Sequence, residues 1–257
     1  MALRTRDSFK RPANPSHPLA GGAGWIGLVI PLVLLMLCPA AVAQVQPTER
    51  APDTIEARLL ACTPCHGPHG EGTKNDYFPR LAGKPAGYLV NQLVAFRDGR
   101  RRYPPMNYLL EYQSDSYLQK IAEYFAALRP PPVEQTATDV GSAVLARGRS
   151  LVTEGDQARS VPPCSGCHGP KLTGMEPAIP GLVGLRANYI SAQLGAFRSG
   201  TRTAPEPDCM QLVAASLTES DVTAVAAWLA SLPIPADPSP VPKGTLQMPL
   251  GCGSEPQ

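Results

Sequence analysis

Two five-residue segments hold the side chains best suited to chemistry: Cys62-Thr63-Pro64-Cys65-His66 and, 102 positions later, Cys164-Ser165-Gly166-Cys167-His168. Three chemistries compete for such a segment. A thioredoxin-like dithiol would want a strand-to-helix setting within a βαβ pattern, and none is visible. A zinc knuckle does not usually carry a histidine directly after its second cysteine, and neither half offers a second cysteine pair. Covalent haem accounts for every residue: two thiols become thioethers to the porphyrin vinyl groups, and the following imidazole is held against the iron. Two complete copies predict two covalently bound haem c groups, with His66 and His168 as iron ligands.

A low-spin haem needs a second axial ligand from chain distant from the first. Met106 lies 40 residues after His66 and nine before Asp115; Met210 lies 42 after His168 and nine before Glu219. The shared register singles out Met106 and Met210 against the alternative that a methionine merely fills a core. Met175 stands only seven residues past its histidine, and Met248 has no counterpart in the other half. His69, three residues from His66, cannot readily reach the opposite haem face and is expected to be exposed. Backbone carbonyls near Pro79 and Pro180 could accept the other imidazole N–H of each histidine, as metal-bound histidines generally require; a plain turn role for these prolines is equally open. Arg97 and Arg198 could neutralise haem propionates, although a solvated helix face is the favoured reading.

The elements that must position these residues are themselves duplicated. "FPRLAGKPAGYLVNQLVAFRDGRRR" answers "IPGLVGLRANYISAQLGAFRSGTRT", pairing Tyr88, Gln92, Leu93, Phe96, Arg97 and Gly99 with Tyr189, Gln193, Leu194, Phe197, Arg198 and Gly200. Tyr88, Gln92 and Phe96 recur at helical spacing, and Gly99 suits a helix stop. Further helices are predicted from Ser114-Asp115, with Leu118, Ile121, Ala122, Phe125 and Leu128 on one face, and after Thr218, with Val222, Val225, Trp228, Leu229 and Leu232. Short helices are expected to lead into each motif, from about Ile55 to Ala61 and Val140 to Thr153. No run of alternating apolar residues appears, so each half reads as all-α.

The first 43 residues read as an export signal: Arg4, Arg6, Lys10 and Arg11, then "WIGLVIPLVLLML", then Ala41-Val42-Ala43. The apolar run, about 13 residues, is short for a bilayer span of about 20, which leaves an N-terminal membrane anchor as the alternative. Removing this segment takes away four basic residues and one acid, so 23 Lys+Arg against 21 Asp+Glu becomes 19 against 20, about −1. That balance gives no reason to expect nucleic acid as a partner. Export also implies an oxidising compartment, where the two cysteines outside the motifs, Cys209 and Cys252, either pair as a disulfide or stay as buried thiols.

With these residues in view, the chain from Asp53 to Pro233 resembles a dihaem cytochrome c of the cytochrome c4 type. The resemblance rests on both C-x-x-C-H-G motifs, the "FPRLAG" and "IPGLVG" segments, the two matching helices, and the methionine before a terminal helix in each half. It implies two tandem class I cytochrome c domains related by pseudo-symmetry, with His/Met-ligated haems carrying electrons in the periplasm. The boundaries expected are 44–129 and 140–233, joined by a Pro-rich linker over 130–139 and followed by a Pro-rich tail over 234–257. Expected partners are redox proteins such as a terminal oxidase, a cytochrome bc1-type complex or a dehydrogenase, with peripheral membrane association compatible. An electron carrier without catalysis of its own is the leading reading. A cytochrome subunit of a dehydrogenase complex is the second, and a dihaem peroxidase-like enzyme the third. Against that third reading, two matched methionines would fill both irons. A Cys209–Cys252 bond would clip the tail over the Met210 side.

Overall fold

The computed structural model describes residues 52–133 and 140–255; the expected export segment and residues 134–139 of the linker lie outside the described residues. The first half runs α1 (Ile55–Arg58), α2 (Thr63–His66), α3 (Ala86–Arg97), α4 (Pro104–Leu110) and α5 (Asp115–Ala127). The second half runs α6 (Ser142–Thr153), α7 (Cys164–His168), the strands β1 (Gly174–Met175) and β2 (Ile179–Pro180), then α8 (Ala187–Arg198), α9 (Cys209–Ala215) and α10 (Glu219–Ser231). The mostly helical class expected from periodicity is present. The sequence signals do not announce α4 and α9, nor the two-residue antiparallel pair that sets Gly174 opposite Pro180 and Met175 opposite Ile179.

Helix positions follow from caps and apolar spacing. Ser114 Oγ accepts the Tyr117 amide to start α5, and its buried face is Leu118, Ile121, Ala122 and Phe125, an i, i+3, i+4, i+7 stripe. Thr218 starts α10 in a reciprocal capping box with Asp221, and Val222, Val225, Ala226 and Leu229 turn inward. Gly99 (φ 74°) and Gly200 (φ 69°) take left-handed backbone two residues past the ends of α3 and α8, so the chain can leave each helix there. In the first half, α3 packs on α5 and α4, with Leu59, Leu89, Phe96, Leu110, Leu118, Ile121 and Phe125 in its core. In the second, α10 packs on α6 and α8, around Leu151, Val152, Ile190, Leu194, Phe197, Val225 and Leu229. Where α6 crosses α10, a Cβ on Gly148 would lie 2.1 Å from the Ala224 carbonyl oxygen, so only glycine permits this crossing.

The halves meet along matched segments. Arg101 and Arg202 form an antiparallel bridge, with the Arg102 amide donating to Thr201 O (2.9 Å) and the Thr203 amide to Arg100 O (2.8 Å). The start of the linker is tied back to the first half, because the Arg80 guanidinium donates to the carbonyls of Pro130 (2.7 Å) and Pro131 (3.2 Å). The tail is ordered chain: Cys252 is bonded to Cys209, with their Cα atoms 5.2 Å apart.

Candidate functional site

Each C-x-x-C-H segment is a single helical turn. Cys62 is the residue before α2, which holds Cys65 and His66; Cys164, Cys167 and His168 all lie in α7. A spacing of three within a helical turn puts both thiols on one side, and the histidine follows at the C-terminal end. Gly67 (φ 84°) and Gly169 (φ 85°) then turn the chain sharply away.

Both imidazoles are buried and oriented in the same way. His66 Nδ1 lies 2.9 Å from the Pro79 carbonyl oxygen, and His168 Nδ1 lies 2.7 Å from that of Pro180. A carbonyl oxygen can only accept, so Nδ1 carries the proton and Nε2 presents its lone pair. Burial depresses the pKa of both rings, against the opposing pull of these hydrogen bonds, and so keeps them neutral as metal ligation requires. The carbonyls are held by a second repeated device. Four residues after each histidine stands a left-handed residue, Gly70 (φ 69°) or Leu172 (φ 55°). The carbonyl of Gly70 accepts the Leu81 and Ala82 amides, and that of Leu172 accepts the Leu182 and Val183 amides. The prolines thus lie where a carbonyl meets each ring, as their spacing allowed.

Met106 sits on α4 and shares with Cys62, Cys65 and His66 the wall of a cavity of about 580 Å³, within the usual range for a ligand pocket. Leu81, Leu89, Leu93, Phe96 and Tyr103 supply apolar wall, suited to a large flat macrocycle. Met210 sits at the matching place on α9, and it and Cys164 pack on the second core beside Leu182, Val183 and Leu185. Met175 is buried in β1, and His69 is exposed, as expected.

The alternative chemistries find no support in this geometry. Burial raises the thiol of Cys164 to about 11 and raises Cys62 and Cys167 also, the reverse of what an attacking thiolate needs. Among the described residues no three His, Cys, Asp or Glu side chains converge as a metal site, whereas a zinc site shared by both motifs would require four.

Arg97 and Arg198 lie on solvated helix faces, the reading favoured from the sequence, and two other arginines lie nearer the His66 cavity. Arg97 is engaged with Asp98 (2.9 Å) and Asp115 (2.5 Å) at the surface, and Arg198 is exposed. Arg101 and Arg202 are buried instead, where the halves meet. Arg101 donates to Gln92 Oε1 (3.0 Å), Tyr189 Oη (3.0 Å) and Gln193 Oε1 (2.7 Å). Arg202 donates to Gln193 Oε1 (2.9 Å), Gln92 Oε1 (2.8 Å) and Tyr88 Oη (3.3 Å). Each guanidinium also stacks 4.5 Å from the ring centre of its own half's phenylalanine, Phe96 or Phe197. Burial alone would raise the Tyr88 phenol, but Arg202, Arg101 and Lys84 together pull it down to about 8. No described carboxylate pairs with either arginine, and buried cations without anions are costly. Both arginines and Lys84 line the His66 cavity, so the carboxylates of a haem fit the charge this site lacks. The duplication itself carried the signal for them, since Arg101 and Arg202 each lie two residues past the matched glycines.

A cytochrome c family model matches residues 145–233. The chain is 36% identical over 182 residues to cytochrome c4 of Pseudomonas aeruginosa, covering 69% of this chain and 86% of that one. The chain belongs to the cytochrome c4 family. It is also 36% identical over 174 residues to a thiosulfate dehydrogenase electron acceptor of Thiomonas intermedia, covering 68% of this chain and 79% of the relative. Among solved structures it is similar to reduced cytochrome c4 from Pseudomonas stutzeri, with a TM-score of 0.59, 30% identity and coverage of 69% and 96%. It is similar also to the thiosulfate dehydrogenase TsdBA of Marichromatium purpuratum, with a TM-score of 0.61 and 34% identity; the match spans 67% of this chain but 36% of that longer one. As a cytochrome c4 relative, the protein carries two covalent haem c groups, at Cys62/Cys65 and Cys164/Cys167, and works as an electron carrier with redox-protein partners. Haem supplies the one-electron redox centre; the imidazoles and apolar walls of the chain would orient it and shield it from water, and Arg101, Arg202 and Lys84 would face its carboxylates.

Proposed function

We propose that each iron is held between a histidine and a methionine, His66 with Met106 and His168 with Met210, in two cytochrome c domains over 44–129 and 140–233. The observation that carries this reading is the repeated arrangement of imidazole, proline carbonyl and methionine-bearing helix on the same register in both halves. A soft, neutral thioether raises the potential relative to a second imidazole and leaves no open position for substrate. That favours outer-sphere transfer over peroxide chemistry. Export by residues 1–43 would place the carrier in the periplasm.

The donor we favour is a periplasmic dehydrogenase, with a terminal oxidase as the acceptor; a bc1-type complex would be a competing donor. Support comes from the relatives named as thiosulfate dehydrogenase electron acceptors and from the longer TsdBA chain, part of which matches this one. Native purification tests the reading. A catalytic chain should accompany the cytochrome, and thiosulfate should reduce both haems only when that chain is present. Reduction by respiratory membranes alone, with no thiosulfate response in the native preparation, would favour the free respiratory carrier.

A further inference from the structure

The tail does more than tie Cys252 to Cys209, the neighbour of Met210. Starting from the second core, it first adds to the β1–β2 pair, where the Val241 amide donates to Gly174 O (3.0 Å) and the Glu176 amide to Val241 O (2.9 Å). It then crosses the attachment turn. Leu246 lies over Gly169, and Pro249 lies over Gly166, with Pro249 Cγ 3.5 Å from where a Cβ on that glycine would stand. Cys252 locks it to Cys209, and the Gly253 amide donates to Pro207 O (3.0 Å). At its end, Ser254 O accepts Asn91 Nδ2 of the first half (3.0 Å), and the buried Glu255 accepts the Ala178 amide (3.1 Å).

Among the described residues, the first half has no such cover. Pro64, at the register of Gly166, is exposed, and so is Leu60 (63%) just before the motif. Beside the methionine, Tyr108 (79%), Leu109 and Tyr112 (86%) stand out from α4 and the turn after it. Leu109 and Pro105 also form part of the His66 cavity wall, so this apolar surface runs continuously into the haem site. The matched residues in the second half are Leu212, Val213 and Ser216, of which Leu212 alone is an exposed large apolar side chain.

We propose that residues 234–255 form a strap that closes the haem-attachment edge of the second half to protein partners, so that a partner exchanges electrons with this chain at the first half. The proposal rests on the carrier reading. Its occupant for the first-half surface is an electron-transfer protein with an apolar, weakly charged face, because that surface adjoins the haem cavity and the chain beyond residue 43 has a balance of only about −1. One electron passes outward per encounter and no bond or proton need change.

The test crosses two alterations in the holoprotein. One is Tyr108→Glu with Leu109→Glu, which charges the first-half surface. The other is removal of the strap by ending the chain at Pro233 with Cys209→Ser; should that chain fail to fold, full-length Cys209→Ser/Cys252→Ser unlocks the strap instead. Stopped-flow oxidation of the reduced protein by a blue-copper electron-transfer protein, whose cupric centre becomes cuprous, gives the bimolecular rate. With the strap present, the charged surface should slow exchange about tenfold or more; without it, the second half should offer a route and the loss should shrink to about threefold or less. Hydrogen exchange over residues 164–178 should also quicken about tenfold on unlocking. An equal slowing with and without the strap, no slowing at all, or unchanged hydrogen exchange would overturn the strap. A protein that passes electrons to neither the cupric protein nor hexacyanoferrate would instead overturn the carrier reading beneath it.

Discussion

The two halves share a haem-holding plan but not its surroundings. The second half enters its motif through the three-turn helix α6, fitted to α10 at Gly148, and ties the start of α10 with charge: Asp221 accepts Arg159 (2.6 Å), Arg147 (2.9 Å) and Thr218 Oγ1 (2.7 Å). The first half enters through the single turn α1, and at the register of Asp221 it has Tyr117, which meets Arg58 only as a ring beneath a guanidinium at 5.9 Å. The second half is also covered by the tail. What recurs in both is the attachment turn, the imidazole–carbonyl bond, the methionine-bearing helix and the buried arginine, the parts that the proposed ligation uses. What differs is scaffold and exposure, which can tune two similar centres apart.

Removing an attachment site should have the largest effect. The intact denatured protein should show two haem increments by mass spectrometry, and Cys164→Ser/Cys167→Ser or Cys62→Ser/Cys65→Ser should each leave one. Retention of both increments would mean that haem is attached elsewhere. Next in size, Met106→Ala and Met210→Ala should each abolish roughly half of the weak charge-transfer absorption of Met-ligated ferric haem and lower the potential of one centre only. An unchanged spectrum in either variant would remove that methionine from the ligand set.

A smaller effect separates the scaffolds. Burial tends to raise the Asp221 carboxyl, but hydrogen bonds from Arg159, Thr218 and Arg147 outweigh it and hold the group well below the usual carboxylate range. A depressed folded pKa stabilises the protein above the unfolded value of about 4 and loses that contribution as pH falls below it. Asp221→Asn should therefore cost the second half roughly 2 to 3 kcal/mol at neutral pH in denaturant unfolding. Tyr117→Phe should cost the first half under about 0.5 kcal/mol. The Asn variant should also show a shallower loss of stability between about pH 4 and pH 2. The smallest expected shift belongs to the shared arginines. Taking a positive charge from the meeting of the halves favours the oxidised form, so Arg101→Gln or Arg202→Gln should lower potentials by roughly 40 mV, about 1 kcal/mol for one electron. Because both arginines share Gln92 and Gln193, either substitution should reach both centres.

Much of the site was legible because its spacing repeats. Cys62, Cys65 and His66, with their counterparts, could be read from the motif, and Met106 and Met210 were singled out by register, whereas the spacing of Pro79 and Pro180 left a ring-holding carbonyl and a plain turn equally open. Arg101 and Arg202 were equally visible as repeats, but that they face each other depends on how two helical units pack, which a periodicity cannot report. Helices α4 and α9 are seven residues each and begin at or near prolines, too short for an apolar period to show. The strand pair β1–β2 is shorter still. The disulfide was suggested by counting cysteines, yet the path of the tail over Gly166 is set by Val241, Leu246 and Pro249, whose positions in the sequence carry no period at all.

A potentiometric titration of the visible absorption tests the central claim most directly, since two similar sites in unlike surroundings should behave as two separate one-electron carriers. The expected result is two reversible one-electron components of equal amplitude at different potentials, with the Met-ligated ferric signature present in both oxidised centres and no catalytic consumption of hydrogen peroxide. A single component carrying half the haem, or one centre that loses its methionine signature while the reduced protein turns over peroxide with an electron donor, would contradict the account and make this chain an enzyme.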